Sequence, residues 1–170
     1  HPEIAKKMQQ EMDNVQIHQP VSFAAQHKLT YTIQVLDEVM RLYPPFWMVD
    51  RVALKDDEVM GIHIPAGITV IPYIYGTHRN PEYWEEPESF NPDRFKADRK
   101  KARPSFAHIP FGGGPRICIG SNMAMIQMLL ILVRILRRYD IRPLSERPVD
   151  IRPMMILRPD GAITLHFTPR

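Results

Sequence analysis

The chain has 170 residues, with 22 Lys+Arg against 19 Asp+Glu and a formal net charge of +3. That length fits one domain able to bury a real core, and 44% hydrophobic with 24% charged residues excludes a wholly disordered chain. Seventeen prolines, twice the usual share of ~5%, exclude an all-helical bundle, and one cysteine excludes a disulfide framework or a cysteine-paired zinc finger. Pro2 followed by Glu3-Ile4-Ala5-Lys6-Lys7-Met8-Gln9-Gln10-Glu11-Met12 predicts a short helix, and residues 14–28 read as a loop broken at Pro20. From Leu29 to Tyr43, Leu29, Ile33, Leu36, Val39, Met40 and Tyr43 recur at three and four, a helical period that Pro44-Pro45 end.

Residues 46–72 change character. Val49, Val52, Leu54, Val59, Ile62, Ile64, Ile68, Val70 and Ile71 fall in short runs broken by Asp56-Asp57, Gly61 and Pro65-Ala66-Gly67, which predicts a small antiparallel sheet. Residues 73–118 show little periodicity, and a long irregular stretch inside a domain usually covers a functional site. A second strong helix runs from Gly120 to Arg138, with Arg137-Arg138 in the last turn where cations suit the dipole. The tail from Asp150 to Phe167 reads as a hairpin turning at Arg158-Pro159-Asp160-Gly161. The longest apolar run, Met128 to Val133, is far shorter than the ~20 residues of a membrane helix. The first residue is His1 rather than Met, so the chain reads as a piece of something longer, and the expected location is cytoplasmic, with room for an anchor upstream.

Cys118 is the residue to explain. Without context a lone cysteine is a buried small hydrophobe. Here it sits in Phe111-Gly112-Gly113-Gly114-Pro115-Arg116-Ile117-Cys118-Ile119-Gly120, directly before a long helix. Consecutive glycines let backbone approach a flat ligand, a helix N-terminus stabilises a thiolate, and Arg116 can pair with a carboxylate. A phosphate-cradling P-loop would need Gly-Lys-Ser/Thr after the glycines, and Pro115-Arg116 stand there instead. An apolar loop with one thiol and one arginine suits a haem iron and its propionate. His18, His27, His63, His78, His108 and His166 show no metal-ligand spacing and read as structural.

The segment Phe111–Gly120 resembles the haem-binding loop of the cytochrome P-450 family. Two further signatures stand in the right order: Glu38-Val39-Met40-Arg41 resembles the family's Glu-x-x-Arg pair, and Asn91-Pro92-Asp93-Arg94-Phe95 resembles its Pro-Glu-Arg-Phe motif, with Asp93 in place of Glu. Each is weak alone; together they are highly specific, and the resemblance covers essentially the whole chain. It implies an α+β fold, the C-terminal portion of the P-450 haem domain. Residues 1–170 would form one partial domain of K and L helices, a small antiparallel sheet, a proximal meander with the cysteine loop, and a terminal hairpin.

The resemblance also implies roles. Cys118 would ligate the iron of haem b, Arg116 and Arg51 would contact propionates, Phe111 and Gly113 would lie beside the ligand, and Ala124 would rest against the macrocycle. Gln127 stands where many relatives carry Glu. Glu38 and Arg41, at i and i+3 on one helix face, would join Arg94 in a buried structural triad. Phe46, Trp47 and Met48, with Met154, Met155 and Ile156, would line an apolar substrate pocket. Lys96, Arg99, Lys100, Lys101 and Arg103, with Asp98 the one acid among them, give a local +4, exceeding the whole chain's +3. Such a run is ordinarily a solvated loop, and no interleaved aromatics favour nucleic acid. In the family it would face a flavodoxin-, ferredoxin- or reductase-type electron donor. The implied reaction inserts one oxygen atom from O2 into a small apolar organic substrate, using two electrons from that donor. The family's oxygen-activating I helix precedes the first helix here. A haem-thiolate isomerase or dehydratase, a peroxygenase, or a non-catalytic truncated fragment would therefore share these motifs.

Overall fold

Three helices carry the main core in the computed structural model, which describes residues 1–15, 27–145, 147 and 149–170. Most of the expected 14–28 loop, with His18 and Pro20, lies outside the described residues. Helix α1 (Pro2–Asn14) starts on a proline that lacks only an N–H the first turn leaves free anyway. Helix α2 (Thr30–Leu42) stops just short of Pro44, and α5 (Ser121–Leu136) follows the cysteine loop. Met8 and Met12 of α1, Val35 and Leu36 of α2, and Leu129, Val133 and Leu136 of α5 meet with Leu29 in one buried cluster. Each such side chain contributes about 1.5–3 kcal/mol through burial.

Two polar residues of α1 tie the other helices in place. The start of α2 carries no capping side chain of its own. The carboxylate of Glu11 supplies the cap from outside, accepting the N–H groups of Tyr31 at 2.7 Å and Thr32 at 2.8 Å, with the Thr32 hydroxyl at 2.7 Å. Gln9 does the reverse at the end of α5, where its amide donates to the Leu136 and Tyr139 carbonyls and to Asp140 Oδ1.

The sheet expected over 46–72 is two separate antiparallel pairs on one hairpin. Strand β1 (Arg51–Val52) pairs with β4 (Thr69–Val70), and β2 (Asp57–Val59) with β3 (Ile62–Ile64). The ladder breaks between them because Pro65 has no N–H to give, and Asp56 Oδ1 takes the Ala66 N–H at 2.8 Å in place of a strand carbonyl. Met60 and Gly61 form the tip, both at positive φ (52° and 78°), as a two-residue primed turn requires.

The tail also differs from expectation. Phe167 lies on β8 (Leu165–Pro169), whose partner is β5 (Tyr139–Pro143), with Ile141 opposite Phe167. Arg158 and Pro159, expected in the turn, are the strand β7 (Arg158–Pro159), paired with β6 (Ile151–Arg152) inside the longer ladder. The Asp160 N–H closes this inner pair on the Asp150 carbonyl at 2.8 Å. The irregular stretch holds α3 (Ile74–Thr77), a 3₁₀ turn at Pro92–Phe95, α4 (Ala97–Ala102) and a 3₁₀ turn at Gly114–Arg116. Trp84, Phe95 and Ala107 form its small core. Among the described residues no helix is long and apolar enough to cross a membrane.

Candidate functional site

Glu38 and Arg41 are wholly buried on the last turns of α2. Their forked pair is short, with Arg41 Nε to Glu38 Oε2 at 2.7 Å and Arg41 Nη2 to Glu38 Oε1 at 2.9 Å. The remaining guanidinium protons go to the irregular segment: Nη1 donates to the carbonyls of His78 (2.8 Å) and Pro87 (2.7 Å), Nη2 to that of Ser89 (3.1 Å). Glu38 Oε1 accepts the Asn91 N–H at 2.7 Å. Arg94, on the 3₁₀ turn, brings its Nε to 3.5 Å from the same oxygen, an ion pair without hydrogen-bond geometry, and its Nη2 donates to the Glu86 carbonyl at 2.8 Å. The structure thus gathers Glu38, Arg41 and Arg94 into one cluster that fixes residues 78–94 by their main chain.

Several residues of this cluster carry no motif. His78 is fully buried against α2, Arg79 Nη2 donates to the Leu42 carbonyl at 2.8 Å, and Arg79 stacks 3.7 Å from the Tyr75 ring centre. Trp84 underlies Arg41 and Arg103, whose guanidinium carbons lie 4.9 and 3.9 Å from its ring centre. No pattern in the sequence marks them, because their partners are distant in the chain.

The cysteine loop rises from this base. Gly112 and Gly114 have φ of +75° and +69°, which only glycine takes without strain, while a Cβ on Gly113 would come within 2.8 Å of the Phe106 ring. Gly112 and Gly114 thus let the backbone turn, and Gly113 leaves room for the Phe106 ring. The Cys118 N–H donates to the Phe111 carbonyl at 3.0 Å, the Cys118 carbonyl accepts from Ser121 N–H at 3.3 Å, and α5 begins at once. The Cys118 thiol is exposed.

Around it, Ile117, Ile119 and Met123 are exposed, and Phe111 and Ala124 are half-buried. Arg116 is exposed and its side chain makes no hydrogen bond or ion pair among the described residues; Arg51, also exposed, only reaches the Asp50 carbonyl at 2.6 Å. Among the described residues no three His, Cys, Asp or Glu side chains converge to hold a bare cation. A lone thiol within an apolar rim, with two spare guanidinium groups on the chain, fits a metal that brings its other ligands in a macrocycle bearing carboxylates. The residues present fit a haem.

The two stretches expected to line a pocket lie together. Trp47 Nε1 donates to the Met154 carbonyl at 2.6 Å, and the Leu157 N–H donates to the Pro45 carbonyl at 2.8 Å. Phe46, Met48, Met154 and Met155 are exposed along this seam, while Trp47 and Ile156 are half-buried.

The basic run divides. Arg103 lies inward, donating to the Arg94 carbonyl at 2.6 Å and stacked on Trp84, and burial lowers its pKa. Its planar cation belongs to the aromatic layer rather than to a free docking surface. Lys96 pairs with Asp93 at 2.8 Å, and that hydrogen bond lowers the Asp93 pKa. Lys100 reaches Asp37 at 3.4 Å, yet burial still raises the Asp37 pKa. Arg99 and Lys101 make no side-chain hydrogen bond or ion pair among the described residues, and stand free on α4.

Comparison with known proteins shows the family of the chain. The family model described as Cytochrome P450 matches residues 1–167. The chain is 40% identical to cytochrome P450 3A18 of Rattus norvegicus over 172 residues, covering 99% of this chain and 35% of that protein. It is 38% identical to cytochrome P450 3A16 of Mus musculus and 35% identical to lithocholate 6-beta-hydroxylase of Mesocricetus auratus, each match covering 100% of this chain and 34% of the other. The chain spans about a third of the length of the curated relatives it matches. Proteins of this family bind haem b, the group that the donor set around Cys118 fits. With a family match over nearly every residue and relatives that match it along its whole length, the chain belongs to the cytochrome P450 family.

Proposed function

We propose that residues 1–170 are part of the haem domain of a monooxygenase that inserts one oxygen atom from O2 into a small apolar organic substrate. The observation that carries this reading is the exposed Cys118 thiol, alone on a glycine-built loop ahead of α5 and held by the Phe111 carbonyl. When bound, haem b supplies the activation of O2, with two electrons from a donor. The chain's own residues hold and place it. Cys118 is the iron ligand, Arg116 and Arg51 neutralise the propionates, and Phe111, Gly113 and Ala124 present the surface on which the ring rests. Phe46, Trp47, Met48, Met154, Met155 and Ile156 form one apolar wall that excludes water and orients the substrate. Arg99 and Lys101 attract an acidic electron donor. That one relative is named a hydroxylase supports oxygen insertion over isomerisation or dehydration.

The test is Cys118→Ser in the full-length protein. Thiolate ligation pushes electron density onto iron and red-shifts the ferrous–CO absorption band. The variant is expected to lose that band, and a retained band would remove Cys118 from the role of ligand.

A further inference from the structure

The side chain of His78 is used by none of the roles above, and, buried, it joins the Glu38, Arg41 and Arg94 cluster to the cysteine loop. It ends α3, fully enclosed, with its own carbonyl gripped by Arg41 Nη1 at 2.8 Å. Its ring reaches in two directions. Nε2 lies 2.8 Å from the Ile109 backbone nitrogen, and Nδ1 lies 3.2 Å from the Arg41 carbonyl. A backbone N–H can only donate, so Nε2 accepts and the single ring proton sits on Nδ1, directed at the Arg41 carbonyl. Both nitrogens are satisfied in one tautomer and in no other. From Ile109 the connection continues: the Ile109 carbonyl accepts the Gly112 N–H at 2.9 Å, and the next carbonyl but one, that of Phe111, accepts the Cys118 N–H at 3.0 Å. Main-chain bonds therefore run from α2 through an imidazole to the foot of the thiol-bearing loop.

We propose that His78 is a positioning residue, a neutral imidazole of fixed tautomer that splints the Ile109–Cys118 loop to the Arg41 carbonyl and so sets where the Cys118 thiol stands. The proposal rests on Cys118 being the iron ligand only in its last step; the splint itself is a property of the chain. Burial keeps the ring neutral, holding its pKa at about 4, and the Arg41 and Arg79 guanidinium groups push the same way. His108, whose ring centre lies 5.2 Å away, is also held neutral by burial.

The experiment compares His78→Gln, His78→Leu and Cys118→Ser in the full-length protein. Glutamine can donate its N–H to Arg41 and accept from Ile109, whereas leucine can do neither. The first readout is backbone hydrogen exchange over residues 105–118, measured before haem is added. Loss of one buried backbone bond should speed it about tenfold in His78→Leu and leave it at the wild-type rate in His78→Gln. The second is the fraction of ferrous–CO complex in the red-shifted band, expected to fall in His78→Leu and recover in His78→Gln. Should His78→Leu not fold, ¹⁵N-histidine labelling of the wild type reads the tautomer directly, with Nδ1 protonated and Nε2 bare at pH 7. Unchanged exchange in a folded His78→Leu, or the opposite tautomer, overturns the splint. A red-shifted band surviving in Cys118→Ser overturns instead the reading of Cys118.

Discussion

Replacing Arg41 with lysine tests how much of the irregular segment hangs on one guanidinium. All five of its N–H protons are used: Nε and one Nη2 proton on Glu38, both Nη1 protons on the His78 and Pro87 carbonyls, and the second Nη2 proton on the Ser89 carbonyl. Lysine keeps the charge but has three donors, so at least two of the five acceptors lose their partner, among which the Pro87 and Ser89 carbonyls are only part-buried. An unsatisfied buried group costs about 1–3 kcal/mol and a part-buried one less, which puts Arg41→Lys at about 1–4 kcal/mol. Arg41→Ala leaves the Glu38 carboxylate with only Asn91 and Arg94, and a broken buried pair costs about 3–5 kcal/mol with the lost packing on Trp84 added. Against a total stability of about 5–15 kcal/mol, either change is a large fraction. Urea unfolding of the full-length protein, followed by tryptophan fluorescence, measures the loss, and haem content per chain should fall in the same order. A lysine variant within about 0.5 kcal/mol of wild type, or an alanine variant with full haem content and no activity, would refute the structural role of the cluster.

Neutralising Arg99 and Lys101 should slow reduction by the electron donor at low salt and flatten its salt dependence, while substrate dissociation constants stay unchanged; stopped-flow reduction across ionic strength reads this, and an unaltered low-salt rate counts against it. Arg103→Gln should act differently, lowering stability rather than the salt dependence, because its charge is stacked on Trp84. Acid should weaken the fold through His78. Above its ordinary pKa of 6.5 the ring is neutral whether the chain is folded or not; as pH falls toward about 4, the unfolded chain takes up a proton that the buried ring refuses, a loss of about 3 kcal/mol that levels off below that pH. Asp37, whose carboxyl burial raises, acts in the opposite sense in acid. The measured quantity is therefore wild-type stability minus that of His78→Gln. It should shrink between pH 7 and pH 4, and a flat difference would contradict the burial of a neutral ring.

The chemistry of the chain was more legible than its wiring. The helices at 30–42 and 121–136 declared themselves by apolar spacing and by Pro44-Pro45 and the glycine loop, because burial on one side imposes a period. Glu38, Arg41 and Arg94 are legible only through the family resemblance, because a glutamate and an arginine three residues apart are commonplace on helices. What stayed hidden was set by partners distant in sequence. Glu11 capping α2 and Gln9 closing α5 look like ordinary surface residues of an amphipathic helix until the helices are packed. His78 lacks a metal companion and therefore reads as bland, although its position comes from a carbonyl 37 residues away. The strand at 139–143 is hidden in the sequence although Tyr139 and Ile141 alternate inward, because Arg137-Arg138 read as the end of a helix and its partner at 165–169 is distant in the chain. Arg103 was grouped with its basic neighbours because charge can be counted in a sequence and stacking cannot.

The seam between residues 45–47 and 154–157 is held by the Trp47 indole and by main-chain groups. The side chains of Phe46, Met48, Met154 and Met155 take no part in these hydrogen bonds, and all four residues are exposed. The frame of this wall and its contact surface are therefore carried by different atoms. Exchange of side chains at those four positions alters shape and grip while leaving the frame intact, at a stability cost within the ±0.5 kcal/mol usual for exposed sites. On the proposed reading of the seam as a pocket wall, a lineage diversifies what it accepts by single substitutions here, each tolerated without a compensating change elsewhere, whereas Trp47 has to stay.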